Sequence, residues 1–395
     1  MHSLWFMCCG SIRFSLACGC CWQPRLTLGV TSMVRFTRLL SCGLLLTVLA
    51  ACGGAASTPT SAPAATATTA PTEAAAATAT TAPTEAAVVE ATATAASDTT
   101  TTSGNRTFTH ALGEISIPNV PQRVIALDWM YLEDVLALGV QPVGAIDLEN
   151  YPKWVDLPLT IDPSVVSIGA NPAPDFESIA ALKPDLILVG SLRGETIYDQ
   201  LNAIAPTMMF NPYLKEGEGQ PYDEMTTTFS TIAAVLGKET EGAAVLSKME
   251  QTFADSKAQL AAAGLADANV LVAQTYASNN AAEVRLFTDN AAVMEIIKRL
   301  GLKNAWSDPT YQVWGFSSVG TEALAQFGDV HMLYITEEDN DPFQSAAIKP
   351  YWDSLEFVKA GQAHTLDSQT WTFGGPIAAE VFAQRVTEAL LSESN

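Results

Sequence analysis

Six tryptophans, Trp129, Trp154, Trp306, Trp314, Trp352 and Trp371, lie beyond residue 104, and they are the side chains best suited to act on a partner. An indole removes roughly 150–250 Å² from water when covered, so a few of them can hold a bulky, partly apolar ligand. Two stand beside glycine in expected loops, in Trp314-Gly315 and in Trp371-Thr372-Phe373-Gly374-Gly375. A ring placed there can line a pocket, whereas a tryptophan inside a helix usually fills a core. Groups for covalent or acid–base chemistry are sparse. Only His110, His331 and His364 follow residue 104; they are scattered, without H-x-x-x-H spacing, and His331 falls on an expected buried strand. No cysteine follows Cys52, which removes a Cys–His nucleophile, a disulfide and a thiolate metal site from the folded part. G-x-S-x-G, P-loop and G-x-G-x-x-G motifs are absent. Gly374-Gly375-Pro376 precedes an expected helix and reads as a turn, with anion binding at the helix start as the alternative. A carrier of bare zinc or manganese would need about three histidines and a carboxylate together. The composition therefore points to a binding protein, not an enzyme, with no resident metal and no cofactor.

The elements that must position these rings follow an α/β rhythm. Residues 124–127, 143–146 and 186–189 read as short buried strands, and 132–138, 176–182 and 197–204 as helices between or after them. Two helical patterns then follow without a strand between them, 225–236 and 239–263, separated by Gly237. The second, about 25 residues, would reach roughly 37 Å. Strands at 270–274, 284–287 and 332–335, with helices at 292–300 and 378–391, resume the alternation. The halves echo each other. Leu138-Gly139-Val140 ends a helix in the first and Leu300-Gly301-Leu302 in the second; Glu177 and Glu322 each open a helix, ahead of Asp185 and Asp329 and a strand. The expected architecture is two similar α/β lobes, 105–236 and 265–395, with central largely parallel sheets. One long helix within 237–264 joins them, with a ligand cleft between. A helical connection limits hinge closure.

The first hundred residues are of another kind. From Met33, Arg35 and Arg38 precede an apolar run over 39–49 and then Ala50, Ala51 and Cys52, the parts of a secretory signal. Residues 1–32 read as an over-extended start, and 33–51 as the signal. Residues 53–104 are Ala/Thr/Pro-rich and contain ATATTAPTEAA twice, at 65–75 and 77–87, a composition expected to stay disordered with a reach of roughly 40 Å. Beyond residue 104 there are 16 basic and 38 acidic residues. This balance disfavours nucleic acid, an anionic lipid surface or a highly anionic cargo.

Several stretches carry a family resemblance: Gln122-Arg123-Val124-Ile125-Ala126-Leu127-Asp128-Trp129, Ile179-Ala180-Ala181-Leu182-Lys183-Pro184-Asp185, Gly301-Leu302-Lys303-Asn304-Ala305-Trp306 and Val313-Trp314-Gly315. Over about 108–391 the chain resembles the helix-linked (class III) substrate-binding proteins of ABC importers for siderophores and cobalamin, most closely the ferric-hydroxamate-binding branch. Leu49-Ala50-Ala51-Cys52 resembles a bacterial lipobox, which implies lipidation at Cys52 and anchoring outside the cytoplasmic membrane. The resemblance implies a monomer that captures an intact ferric siderophore and delivers it to a permease dimer. Trp154, Trp314, Trp371 and Phe373 match aromatic positions of the family's cleft, and Trp129 joins them as a candidate. Where the hydroxamate branch places an arginine and a tyrosine, this chain has Asn171 and Arg193, so Arg193 is the candidate cation, with Arg285 second. Glu177 and Glu322 match the acids that dock the permease. A cobalamin or haem carrier of the same fold, or a surface lipoprotein with an enzymatic or adhesive role, stays open at this point.

Overall fold

The structure is a computed structural model that describes residues 106–278 and 281–392, all within the chain's unit Thr94–Asn395. The expected signal, Cys52 and the Ala/Thr/Pro segment lie outside the described residues. An antiparallel ribbon, β1 (Arg106–His110) and β2 (Gly113–Ile117), leads in. The first lobe follows as β3 (Val124–Ala126), α1 (Trp129–Ala137), β4 (Gly144–Ala145), α2 (Tyr151–Trp154) and β5 (Val166–Ser167). A small hairpin, β6 (Gly169–Ala170) and β7 (Ala173–Pro174), precedes α3 (Phe176–Ala181), β8 (Leu186–Gly190), α4 (Ser191–Gly194), α5 (Tyr198–Asn202) and β9 (Thr207–Phe210). Its sheet has the order β5-β4-β3-β8-β9, parallel throughout. The run Leu186–Gly190 is buried at every position, the signature of a strand covered on both faces.

The second lobe contains β10 (Asn269–Ser278), β11 (Ala281–Phe287), α8 (Ala292–Arg299), β12 (Lys303–Asn304), β13 (Phe316–Val319), β14 (His331–Ile335), α9 (Lys349–Trp352), α10 (Glu356–Lys359), β15 (Ala363–Leu366) and α11 (Pro376–Leu391). Its sheet runs β13-β11-β10-β14-β15. The parallel set β10, β14 and β15 carries an antiparallel addition of β11 and β13. The pleat sorts its two cores: Val270 and Val272 face α8 and α11, while Leu271 and Ala273 face the layer holding Phe343, Trp352 and Phe357.

Between the lobes lie α6 (Pro221–Val235) and α7 (Glu239–Ala262), turned back on each other at Gly237. Tyr222 and Met225 at the start of α6 pack in the second lobe, and Phe229, Ile232 and Val235 further along it in the first. Helix α7 returns, with Val245 against the first core and Met249, Phe253 and Leu260 in the second. The connection is thus a pair of antiparallel helices, where the sequence suggested one.

The echo between the halves is real at the helix stops. Gly139 and Gly301 have φ of +74° and +80°. In each case the following residue, Val140 or Leu302, donates its N–H to a carbonyl five residues back, at 3.1 Å. That closure needs a left-handed residue, which glycine adopts without cost from a Cβ. Glu177 lies in the first turn of α3, whose cap is Asp175, whereas Glu322 lies in a 3-10 turn, Thr321–Gln326.

Candidate ligand-binding cleft

The parallel strands of both sheets end at the gap between the lobes, where a ligand site belongs in such sheets. From the first lobe, Asp128 and Trp129 follow β3, Arg193 follows β8, and Tyr213 follows β9; Asn171 sits at the tip of the β6–β7 hairpin. From the second come Arg285 on β11, Trp314 and Phe316 at the start of β13, and Trp371 and Phe373 after β15. Together they line one cavity of about 500 Å³. That size lies within the roughly 300–1,000 Å³ usual for a small-molecule site.

The aromatic walls brace one another. Trp129 and Trp371 meet edge-on at 5.5 Å across the lobe boundary, and Trp129 also meets Tyr151 at 5.7 Å. The Trp129 indole N–H donates to the Ile146 carbonyl at 3.0 Å, fixing the ring as a floor with only 8% exposure. Trp314, by contrast, is 46% exposed and tilts against Tyr213 at 4.6 Å, so a ligand could cover its free face. Phe373 packs with Phe287, Phe316 and Trp371.

Each cation in the cavity has a partner. The Arg193 guanidinium donates to Asp128 at 2.8 Å, with both side chains partly exposed. Burial raises the Asp128 pKa above the ordinary carboxylate value, and the Arg193 charge opposes that shift. Arg285 bonds Glu283 at 3.1 Å and lies over the faces of Tyr276 and Phe316, at 4.7 and 5.0 Å.

Trp154 lies outside this chamber. It borders a side recess of about 270 Å³ whose other lining residues come from the second lobe, and which shares Arg285, Trp371 and Phe373 with the main cavity. Glu177 and Glu322 are exposed and lie away from the cleft lining. Trp306 bonds Ser317 at 3.1 Å, and Trp352 stacks on Phe343 at 3.9 Å, so both serve the second lobe's packing. His331 and His364 meet at 3.0 Å between ring nitrogens, and the His110 ring accepts from the Met209 N–H. No three His, Cys, Asp or Glu residues among the described ones form a metal-binding group.

The glycines before α11 do receive an anion, from the protein itself. Glu133 of α1 accepts the Gly375 and Ala378 N–H groups, each at 2.8 Å. A Cβ on Gly374 would run into the Ala378 side chain, the Glu133 carboxylate and Trp371, so only glycine fits that approach. Burial pushes the Glu133 pKa up to about 7 against the opposing pull of these amides, and Asp134 beside it is also raised by burial.

Reading from the sequence missed Asp128, Tyr213 and Phe316. Asp128 carried a signal, a carboxylate between an apolar strand and a tryptophan. Tyr213 did not, because the strand before it, Thr207–Phe210, is flanked by Pro206 and Pro212 and looks like a loop.

Two α/β lobes joined by helices, with an aromatic cleft at the strand ends, define a solute-binding class. Residues 124–370 match the family model described as periplasmic binding protein, and the chain belongs to that family. Its members bind solutes and are not enzymes. Among its relatives is the Fe(3+)-citrate-binding protein YfmC of Bacillus subtilis, 32% identical over 284 residues, covering 71% of this chain and 84% of YfmC. The iron(3+)-hydroxamate-binding protein FhuD of Escherichia coli is 27% identical, covering 68% of this chain and 87% of its own length. A solved structure, the Fe3+–Desferal-bound siderophore-binding protein FhuD of Vibrio cholerae, superposes with a TM-score of 0.61 at 30% identity. It covers 69% of this chain and 98% of that one.

Proposed function

We propose that the chain is the extracytoplasmic binding component of an ABC importer and that its cargo is an intact ferric siderophore, of hydroxamate type. The observation that carries this reading is the cavity of about 500 Å³ walled by Trp129, Trp314, Phe316, Trp371 and Phe373 and edged by two guanidiniums. Aromatic faces would cover the organic shell of a chelate, and an arginine fork would donate to its iron-bound oxygens. No reaction is involved. Lipidation at Cys52 would hold the protein at the membrane on the 53–104 leash, and Glu177 and Glu322 would present it to the permease. The likeness to the hydroxamate-binding proteins of Escherichia coli and Vibrio cholerae supports the cargo class.

Ferric citrate is the second reading, favoured by the likeness to YfmC. Charge separates the two. Arg193 is matched by Asp128 and Arg285 by Glu283, so the cleft offers little net positive charge to an anionic complex. The test is a titration of tryptophan fluorescence with ferrioxamine B, ferrichrome, ferric citrate, cobalamin and haem. The expected outcome is saturable quenching by the two hydroxamates, weakened at least about tenfold in Trp314→Ala, the loss expected of a central aromatic contact. Quenching confined to citrate, cobalamin or haem would reassign the cargo.

A further inference from the structure

We infer that the side recess, formed mainly by the second lobe, is a separate subsite for a cationic arm of the cargo, an ammonium group on a chain leaving the chelate, with Glu337 as its counter-charge. This rests on the reading of the central cleft as a chelate site. At about 270 Å³ the recess is too small for a whole chelate, but it opens beside the central cavity through shared walls, Arg285, Trp371 and Phe373. An arm on a chelate seated against Trp371 can therefore enter it without moving the metal centre.

The lining explains why the arm would be cationic. Arg285, the recess's one basic lining residue, is engaged by Glu283 and by the faces of Tyr276 and Phe316. Glu337 is exposed and takes part in no ion pair among the described residues. Its carboxylate receives only a long contact from the Asn340 side chain, 3.5 Å. With Arg285 matched by Glu283, the Glu337 charge stands uncompensated. A second feature points to a polar guest. Thr336 lines the recess, is 4% exposed, and its buried hydroxyl has no hydrogen-bond partner. A buried polar group left unpaired costs stability, and a guest donor reached by rotation of that side chain would satisfy it. Gln274 and Tyr276, also in the lining, already bond Thr372 and each other, which leaves Thr336 and Glu337 among the groups with free capacity.

The experiment compares two chelates that differ only at the arm, ferrioxamine B with its free ammonium and the N-acetylated form without it. Each is titrated against the purified protein and against Glu337→Gln, an exposed position where the amide keeps the shape. The wild type should bind ferrioxamine B about fivefold more tightly, the size of one partly exposed ion pair, with the gap shrinking as salt is added. In Glu337→Gln the two chelates should bind alike. Equal affinities in the wild type, or a gap that survives in Glu337→Gln, would overturn the subsite while leaving the central cleft intact. If neither chelate quenched, the cleft reading would fall and take the recess with it.

Discussion

Asp128 serves two structures at once. Its carboxylate accepts the Met130 N–H at the start of α1 and holds the Arg193 guanidinium at 2.8 Å. Removing Arg193 would strand a carboxylate whose charge burial already disfavours, so loss of binding in Arg193→Ala would mix two effects. Asp128→Asn is the cleaner probe. Asparagine still caps a helix, and it leaves Arg193 charged and unmatched. Affinity for ferric citrate should then rise about fivefold and affinity for a cationic chelate fall, both read by fluorescence titration. Protonation imitates the substitution. Because the Asp128 pKa is raised, acidification neutralises it sooner than an ordinary aspartate, so the wild type's preference should drift toward anionic chelates as pH falls. A preference unaffected by Asp128→Asn would mean that the Asp128–Arg193 pair does not set the charge of the cleft.

At the scale of elements, the join between α1 and α11 decides how the cleft floor is held. Glu133, in α1 of the first lobe, caps α11, whose body packs in the core of the second. The folded pKa of about 7 lies above the 4.5 of an ordinary glutamate, so the native state binds the proton more tightly between those limits. Stability from this group is full below about 4.5 and is lost as pH rises through 7. Thermal unfolding of Glu133→Gln should therefore show a shallower decline from pH 5 to pH 8 than the wild type, by on the order of 1–3 kcal/mol. An unchanged decline would place the titration elsewhere. Nothing in the sequence announced this tie, since Glu133 sits between Leu132 and Asp134 in a helix whose pattern reads as ordinary. What could be read were features with local causes. The strand 186–190, the long helix ending at Ala262, and the glycine stops at 139 and 301 depend on apolar runs and backbone geometry close in sequence. The tryptophans beside glycine were legible for the same reason. Trp154, expected at the cleft, lines the adjoining recess, because which wall a ring joins depends on how the lobes meet. The antiparallel strand Phe316–Val319 and the ribbon Arg106–Ile117 were missed as well; their pairing partners, not their own patterns, make them strands.

For the whole molecule, the connection sets how cargo can be signalled to a membrane partner. Helices α6 and α7 each pack in both lobes. Further bonds cross the boundary: Arg385 to Asp156 at 2.7 Å, the Asp156 N–H to the Gln369 carbonyl, and Tyr311 to the Leu214 carbonyl. Wide hinge opening would break these together with the Glu133 cap, so binding should change the molecule's dimensions little. On the proposed function, recognition by a permease would rest on surface groups whose spacing is nearly fixed. Glu177 and Glu322, one on each lobe and both exposed, suit that role. Their substitution separates docking from capture. In Glu177→Ala, Glu322→Ala and the double variant, quenching by ferrioxamine B should stay at the wild-type level, because neither residue touches the cleft. If the proposed docking holds, iron uptake by cells carrying the cognate permease should fall in each single variant and further in the double, since each lobe would present its own acid. Uptake unaffected by the double variant would remove these acids from docking and leave the cleft assignment standing. Loss of quenching as well would show that they act through the fold.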